Sequence, residues 1–462
     1  MNVNLPFPDL APAMPEIVII SAATIMLLLE LFFKNKGVLA FMGIGIAALA
    51  MYFVPMSIGD TFNGMFKSDL YSIYFKFIFL LNLMLTIMIS LQYMKREKAE
   101  YGEYYSLLLF ATAGMMLMAS AKDLIVLYLG LELMALSTYI LAGIKKHDIR
   151  SNEAAIKYLL LGGFSSAILL YGISLLYGLT GTTDIYSISV YFKFQGSSLP
   201  VVMAMMFITA AFCFKIAAAP FHMWAPDVYE GAPTSVTAFM SIGPKAAGFA
   251  VIGRIFYVAF QSLQADWVPV LIGISILTMA VGNILAITQT NIKRMLAYSS
   301  IAHAGYMLIG VIVGTSEGLS AMITYLLIYT FMNMGAFAVI ILLDRGDEIK
   351  DYEGLAKSQP LVAGLMLVFM FSLTGIPPTA GFIGKFNLFM AAVQAGYAWL
   401  VIIAVMFSAV SAYYYLRIVM NMYMKDMTEE ASITPSPTLA LALAITIMMV
   451  FAIGIMPSLV IG

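Results

Sequence analysis

The feature that most constrains the fold is a series of long, uninterrupted apolar runs that recurs along almost the whole chain. A transmembrane helix needs about 20 consecutive apolar residues, and runs of roughly 17 to 25 residues qualify. Fourteen runs meet this criterion, near residues 15–33, 38–57, 70–94, 104–121, 123–144, 154–179, 200–220, 234–261, 268–288, 298–314, 318–343, 360–379, 397–423 and 438–461. The sequence therefore predicts an all-α polytopic membrane protein with about fourteen transmembrane helices.

Composition excludes several other classes of protein. Only 11% of the 462 residues are charged, which is too few to cover a water-facing globule. The 24 basic and 25 acidic residues give a formal net charge of −1, so there is no basic surface for nucleic acid. The single cysteine, Cys213, excludes a disulfide scaffold, a four-cysteine zinc site and an all-protein iron–sulfur cluster. We therefore expect no metal site and no redox chemistry carried out by this chain alone.

The basic residues between the runs predict how the helices are oriented. Fourteen of them follow odd-numbered runs, and three follow even-numbered runs. The fourteen are Lys34, Lys36, Lys95, Arg96, Lys98, Lys145, Lys146, Arg150, Lys293, Arg294, Arg345, Lys350, Lys357 and Lys425, and the three are Lys67, Lys122 and Lys193. Because basic loops stay in the cytoplasm, an even number of spans places both termini on the outer side.

Proline interrupts two of the runs. Pro220 breaks the seventh run, and Pro377 with Pro378 breaks the twelfth. Non-helical backbone in a membrane must be buried in protein or line water, and paired interruptions are typical of inverted-repeat transporters. We therefore expect two inverted five-helix repeats, each with one proline-broken helix. The predicted division is an N-terminal unit of three helices in 1–103, the first repeat in 104–261, the second repeat in 262–424 and a C-terminal helix in 425–462.

Seven basic residues lie inside the predicted spans, where a charge is costly and functional by default. They are Lys76, Lys157, Lys215, Lys245, Arg254, Lys385 and Arg417. Snorkelling to the lipid headgroups is an equally good explanation for Lys76, and Arg254 lies within reach of the outer interface. Arg417 lies toward the cytoplasmic end of its helix, which favours a structural role. Lys215, Lys245 and Lys385 lie too deep for these explanations, and Lys157 lies only a few residues inside its span.

Among the acidic residues, Glu132 alone lies deep in a span. Burial favours the neutral form of a lysine, whereas a nearby carboxylate favours the charged form. A change in the position of the Glu132 charge relative to Lys215 would therefore switch the lysine between holding and releasing a proton. His303 and His222 are further candidates for proton transfer, and a buried, hydrogen-bonded imidazole is the alternative for both. These residues together predict a proton relay.

Four segments resemble the subunit N family of bacterial NADH–quinone oxidoreductase (respiratory complex I), whose members are antiporter-like membrane subunits. They are LGLELMALSTYILAG (129–143), SNEAAIKYLLLGGFSSA (151–167), KIAAAPFHMWAPDVYEGAPTSVTAFMSIGPKAAGF (215–249) and NIKRMLAYSSIAHAGYMLIG (291–310). The stretch PFHMWAPDVYEGAPT is the most specific of these motifs. SNEAAIKY together with PDVYEGAPT resembles subunit N rather than its sister subunits. The resemblance extends over essentially the whole chain.

The resemblance implies a place in the proton relay for each of five residues. Glu132 matches a glutamate of the fifth helix that biases the pKa of its neighbour. Lys157 matches a lysine of the sixth helix next to that glutamate. Lys215 and Lys385 match the lysines of the first and second broken helices. Lys245 matches the lysine of the eighth helix that leads to a central hydrophilic axis.

The resemblance also implies a larger machine, and His303 fits its central axis between the two repeats. The chain would translocate protons as one membrane-arm subunit of an NADH:quinone oxidoreductase in the bacterial cytoplasmic (inner) membrane. NADH, FMN, iron–sulfur clusters and quinone would belong to partner subunits and none of them to this chain. The implied partners are the lipid bilayer and other membrane-arm subunits, both antiporter-like and small, in a hetero-oligomer without nucleic acid.

Three alternatives remain open from the sequence. A subunit of an Mrp-type cation/proton antiporter would use the same row of lysines without quinone chemistry. A membrane subunit of an energy-converting hydrogenase would couple the row to a different electron-transfer reaction. A purely structural scaffold would leave five deep ionisable residues without a purpose.

Overall fold

A computed structural model describes residues 8–33, 35–343, 346–426 and 436–460. In these ranges the chain forms eighteen α-helices and one antiparallel pair of short strands. In chain order the elements are α1 (Met14–Leu29), α2 (Gly37–Phe53), β1 (Gly59–Thr61), β2 (Phe66–Ser68), α3 (Leu70–Arg96), α4 (Glu103–Ser120), α5 (Leu124–Ala142), α6 (Ile149–Thr180), α7 (Ile185–Gln195), α8 (Leu199–Lys215), α9 (Trp224–Gly231), α10 (Thr234–Arg254), α11 (Gln264–Ile287), α12 (Ile292–Ile312), α13 (Ser316–Leu343), α14 (Leu355–Ser358), α15 (Pro360–Thr374), α16 (Ala380–Gln394), α17 (Ala398–Met424) and α18 (Pro437–Ile455).

The prediction of a polytopic helical membrane protein is confirmed. Eleven helices of the described ranges are long and apolar enough to cross a membrane. The other three predicted spans are helical as well: α4 has 18 residues, and the two broken spans form the pairs α8–α9 and α15–α16. Two helices were not predicted, α7 with 11 residues and α14 with four, and both are too short to span a bilayer.

The two ends of the helix bundle differ. At one end, which we call the hairpin side, β1 pairs with β2, and Phe66 of β2 bridges to Ala121 just after α4. At the other end, which we call the basic side, Lys145 of the α5–α6 loop forms an ion pair with Glu97. Because successive spans alternate in direction, α1 begins and α18 ends on the hairpin side. Lys34 and Arg345 lie outside the described residues.

The centre of the bundle is formed by α10, α12 and α13. Every residue of α10 from Thr234 to Gly253 is buried, and α12 and α13 are buried over nearly all of their length. Small residues allow close packing where helices meet within the membrane. A Cβ atom on Gly114 of α4 would lie 2.5 Å from the backbone nitrogen of Met134 in α5, so only glycine fits at this crossing.

The helices break where the prolines predict. α8 ends at Lys215, and residues 216–223 are not helical before α9 begins. Polar groups at this break find partners inside the protein. Trp224 Nε1 donates to the carbonyl oxygen of Phe214 at 2.9 Å, and the backbone nitrogen of Ala219 donates to Thr278 Oγ1 at 3.0 Å. The second break separates α15 from α16 at residues 375–379.

Candidate functional site

The three deep lysines all lie inside the protein. Lys215 is the last residue of α8, Lys245 lies in the middle of α10, and Lys385 lies in the second turn of α16. They expose 2%, 3% and 5% of their surface, respectively. Side chains this deeply buried do not extend along the apolar surface to the headgroups, so snorkelling does not explain them.

Lys215 lies among aromatic rings, and the carboxylate of Glu132 is within electrostatic range. Its Nζ lies 5.9 Å from the ring centre of Tyr139 and 5.7 Å from that of Phe214, which permits cation–π attraction. Within the described residues, Lys215 Nζ has no hydrogen-bond partner, and neither has Oε1 of the half-buried Glu132 on α5. Glu132 nevertheless acts electrostatically on the ammonium group. The charge of Lys215 therefore depends on Glu132 and on two rings rather than on hydrogen bonds.

Lys245 connects α10 with α12. Its Nζ donates to the carbonyl oxygen of Ser300 at 2.8 Å and also to the hydroxyl of the same serine. Both Lys245 and Ser300 are buried. This ammonium group is therefore held at the first turn of the polar stretch YSSIAHAGY in α12.

His303 lies one turn further along α12 and is hydrogen-bonded through both ring nitrogens. Nδ1 lies 2.7 Å from Tyr325 Oη of α13, and Nε2 lies 3.1 Å from Tyr415 Oη of α17. Tyr415 Oη is also hydrogen-bonded to Ser299 Oγ, next to the serine that binds Lys245. The imidazole is fully buried and lies within electrostatic range of the ammonium groups of Lys245 and Lys385.

Lys385 binds the end of the helix that precedes it. Its Nζ donates to the carbonyl oxygens of Thr374 at 2.8 Å and Leu373 at 3.2 Å, and to Ser408 Oγ of α17 at 2.9 Å. The last carbonyls of a helix lack intrahelical partners and carry partial negative charge, so they favour a cation. The ring centre of Tyr306 lies 5.0 Å from the same Nζ.

Lys245 and His303 thus lie in one buried cluster of hydroxyl groups on α12. Lys385 lies within electrostatic range of His303 but has hydrogen-bond partners of its own. Lys215 and Glu132 lie beside the first break. We call these five residues the buried row. The hydroxyl groups that bond to members of the buried row were not predicted, because serine and tyrosine are common in membrane helices without any such role. The clustering of hydroxyls around His303 in YSSIAHAGY was the one available signal. The residues whose hydroxyl groups bond to members of the row or to one another are Ser299, Ser300, Tyr325, Ser408 and Tyr415.

Lys157 lies in a different environment. Its side chain is 41% exposed, and its Nζ lies 2.8 Å from both Glu153 Oε1 and Asp227 Oδ2. Arg294 binds Asp227 at 2.7 Å and Glu230 at 2.9 Å, which completes a cluster of charges on the basic side. Burial raises the pKa of Asp227, but the hydrogen bonds from Lys157 and Arg294 outweigh it and hold that pKa below its usual value. The ammonium of Lys157 is therefore bound in this cluster rather than in the buried row.

Lys76 does not snorkel, which corrects one of the two explanations offered for it. Its Nζ forms an ion pair with Glu16 Oε1 at 2.8 Å and donates to Ser68 Oγ at 2.9 Å. The side chains of Lys76 and Glu16 expose 0% and 2% of their surface. Glu16 was missed by the sequence analysis because it stands near the beginning of the first apolar run, where a carboxylate is easily solvated.

The two arginines in the spans bind protein groups near the helix ends. Arg254 forms a two-pronged contact with Asp69 on the hairpin side, at 3.1 and 2.9 Å. Burial raises the pKa of Asp69, but its hydrogen bond with Arg254 prevails and lowers it. Arg417 donates to the carbonyl oxygen of Ile287 at 2.9 Å, at the end of α11.

His222 lies in the first break and is buried, with its Nδ1 lacking a hydrogen-bond partner among the described residues. It is not part of the network around His303. In the same described ranges, no group of three or more His, Cys, Asp or Glu side chains is arranged to hold a metal ion.

Comparisons with known proteins agree with this architecture. Residues 121–411 match the sequence profile of a family described as NADH:quinone oxidoreductase/Mrp antiporter, TM. A relative named NADH-quinone oxidoreductase subunit N, from Trichlorobacter lovleyi, is 51% identical over 462 residues, which cover 97% of this chain and 94% of the relative.

Solved structures show the same likeness. A chain of respiratory complex I from Thermus thermophilus with bound aureothin superimposes with a TM-score of 0.83 at 33% identity, over 97% of this chain and 98% of that chain. A chain of the Mrp complex from a Dietzia species reaches a TM-score of 0.83 at 22% identity, over 96% and 95% of the two chains, which shows a shared fold. The chain therefore belongs to the NADH:quinone oxidoreductase/Mrp antiporter family and, within it, to the subunit N family of NADH-quinone oxidoreductase.

Proposed function

We propose that the chain is a proton-translocating membrane-arm subunit of an NADH–quinone oxidoreductase and that the buried row relays the protons. The observation that carries this proposal is the set of titratable side chains in the bundle interior, which hydroxyl groups connect around His303. Ionisable groups this deep in a membrane protein are costly and mark ion pathways by default. Polar groups held only for stability would not need to be titratable.

The first step of the relay takes place between Glu132 and Lys215. Lys215 Nζ has no hydrogen-bond partner among the described residues, so the nearby carboxylate is the main group that favours its charged form. When Glu132 moves away or is neutralised, Lys215 releases its proton toward the centre of the bundle. Glu132 is thus a positioning residue, and Lys215 is the proton carrier.

The second step passes through the hydroxyl groups of α12 and α17. A hydroxyl both donates and accepts a hydrogen bond, so it passes a proton on without a net change. Lys245 binds Ser300, and the neighbouring Ser299 binds Tyr415, which reaches His303. A neutral imidazole carries a donor on one nitrogen and an acceptor on the other, so His303 can exchange a proton on both sides.

The third step ends at Lys385, close to the surface of the bundle. A cleft of about 390 Å³ between α16 and α17 is lined by Lys385, Phe386, Val405 and Ser408, among others. The buried row therefore reaches the outside of the chain at this cleft. A neighbouring subunit of the membrane arm would meet the row there.

The remaining parts of the proposal concern the whole complex. We assign NADH, FMN, iron–sulfur clusters and quinone to partner subunits, and no redox site to this chain. We place both termini on the outer side of the bacterial cytoplasmic membrane, since the basic loops then face the cytoplasm. We retain the division into two inverted repeats, 104–261 and 262–424, with α8–α9 and α15–α16 as the broken helices.

The test is a Lys215→Ala variant in the assembled complex. We expect coupled proton pumping and quinone reductase turnover to fall steeply, because a positioned proton carrier contributes roughly 10²–10⁴-fold to rate. Both are measured with the purified complex in liposomes. Thr446→Val is the matched control, since Thr446 on α18 is equally buried but bonds only to carbonyls of its own helix. Wild-type pumping in Lys215→Ala would refute the role of Lys215.

A further inference from the structure

Among the ion pairs of the described residues, the most deeply buried one lies between α1 and α3. Glu16 and Lys76 meet at 2.8 Å and expose 2% and 0% of their side chains. Apart from Lys76, neither carboxylate oxygen of Glu16 has a hydrogen-bond partner in the described residues. An ionised carboxylate has about four lone-pair sites, and buried polar groups normally have their partners. Glu16 is therefore poorly bonded for a group that is permanently charged.

The pair lies near the hairpin side of the bundle. Glu16 is the third residue of α1, and Lys76 lies in the second turn of α3. The hydroxyl of Ser68, at the end of β2, accepts from Lys76 and is itself 3.0 Å from Ser57 Oγ. Through Ser68 the ion pair thus contacts the end of β2 on the hairpin side.

A line of under-bonded polar groups leads from the buried row toward α3. Asn333 of α13 donates to Ser241 Oγ at 2.7 Å, and Asn82 of α3 donates to the carbonyl oxygen of Phe239 at 3.2 Å. Both contacts are on α10, and Ser241 lies one turn before Lys245. The Oδ1 atoms of both asparagines are buried and lack partners among the described residues.

The same line extends to His303 through α13. The ring centre of Tyr329 lies 5.0 Å from that of His303, and Tyr329 stands one turn before Asn333. Tyr329 Oη is also buried without a partner in the described part of the chain, as is Thr86 Oγ1, one turn beyond Asn82. Water is the usual partner of buried polar atoms that the protein leaves unbonded.

We propose that Glu16 and Lys76 form a further proton-binding site, connected to the buried row by a hydrated branch through Asn333 and Asn82. The inference rests on the proposed function. One O–H bond forms on the Glu16 carboxylate as one breaks in the water chain beside it, and Lys76 then keeps only its bond to Ser68. The proton leaves Glu16 toward the hairpin side, and the ion pair forms again.

The test uses the whole complex in liposomes and counts protons moved per NADH oxidised. Glu16→Gln removes the titratable group, and we expect a reduced proton count while NADH oxidation with an uncoupler persists. Since a single neutralisation strands Lys76 without its counter-charge, the charge-balanced double variant Glu16→Gln with Lys76→Met is measured beside it. Glu30→Gln is the matched control, because Glu30, the residue that follows α1, binds the partly exposed Lys36 at 3.2 Å.

A purely structural ion pair and a proton-binding site give opposite results. If the pair only joins α1 to α3, the charge-balanced double variant pumps as the wild type does, which overturns the proposal. Asn82→Leu leaves the pair intact and closes the branch, so we expect the same reduced proton count, and a wild-type count overturns the proposal too. If Lys215→Ala abolishes pumping but these variants pump normally, the relay role of the buried row is supported and the proton-binding site at Glu16 and Lys76 is refuted. When Lys215→Ala itself pumps normally, the proposed function fails.

Discussion

The two broken helices hold their lysines in opposite ways. Lys215 closes the helix before its break, and its Nζ has no hydrogen-bond partner in the described residues. Lys385 follows its break and donates to three oxygen atoms, two of which are carbonyls at the end of α15. The helix after the first break is fixed by the charges of Asp227 and Glu230, whereas Lys385 itself ties α16 to α15.

This difference indicates that the lysines at the two breaks respond differently to a change of charge nearby. An ammonium group without hydrogen bonds responds strongly to a carboxylate that moves or is neutralised nearby. An ammonium group bound by helix-end carbonyls is stabilised by fixed dipoles, which no distant charge removes. We therefore interpret the first break as the part of the row that responds to Glu132 and the second as the part that holds a proton more steadily.

The largest effect that tests this comparison is the coupling between Glu132 and Lys215. Glu132→Gln should lower proton pumping, and it should lower it no further once Lys215→Ala is present, because the carboxylate acts through that lysine. Neighbouring residues in such double-mutant cycles show interaction free energies of roughly 0.5–3 kcal/mol. Pumping by the four complexes of the cycle gives the measurement. If the losses of pumping in the two single variants simply add in the double variant, Glu132 does not act through Lys215.

A smaller effect is expected at the second break. Ser408→Ala removes one of the three acceptors of Lys385 but leaves the two carbonyls, so the lysine remains in place. A hydrogen bond to a charged group contributes roughly 1.5–3 kcal/mol net, so we expect the free energy of unfolding to fall by about that much, with pumping largely retained. Ser411→Ala on the same helix is the control, since its hydroxyl bonds to a carbonyl of α17 itself. A loss of pumping as deep as that of Glu132→Gln would contradict the comparison.

The fold was predictable because hydropathy depends only on local sequence. The predicted helix boundaries were wrong where a charged residue is paired with a residue that is distant in sequence. The tenth span was expected from residue 298, but α12 begins at Ile292. Lys293 and Arg294 look like loop residues in sequence, yet both lie on α12, where Asp347 binds the buried Lys293 and Asp227 binds the partly exposed Arg294. The connection of Ser299 to His303 through Tyr415 was not predictable, because Tyr415 lies more than a hundred residues away. The relay roles themselves remain predictions.

The smallest effect is expected at Lys157, which binds the charges of the basic side. An ion pair of an exposed side chain contributes roughly 0.2–1 kcal/mol, so Lys157→Met should cost little stability and little pumping. A loss of pumping like that of Glu132→Gln would instead place Lys157 in the relay, as the family resemblance implied. Thermal unfolding and pumping assays on the same preparation distinguish these outcomes.

The same cluster predicts a pH dependence of stability. Because the pKa of Asp227 is held below its usual value, its stabilising contribution is complete above the ordinary carboxyl range and is lost as the pH falls through the lowered pKa. We therefore expect the thermal midpoint to fall on acidification below about pH 4. The dependence should be weaker in Lys157→Met, which removes one of the groups that lower the pKa. An equal dependence in both proteins would exclude Lys157 as a cause.

The most direct test of the buried row is Lys245→Ala, since Lys245 lies between the two breaks and connects α10 to the hydroxyls of α12. The measurement is the number of protons moved per NADH oxidised by the assembled complex in liposomes, with Thr446→Val as the control. A proton relay through this row predicts that pumping is lost in Lys245→Ala and retained in Thr446→Val. A wild-type proton count in Lys245→Ala would contradict the relay.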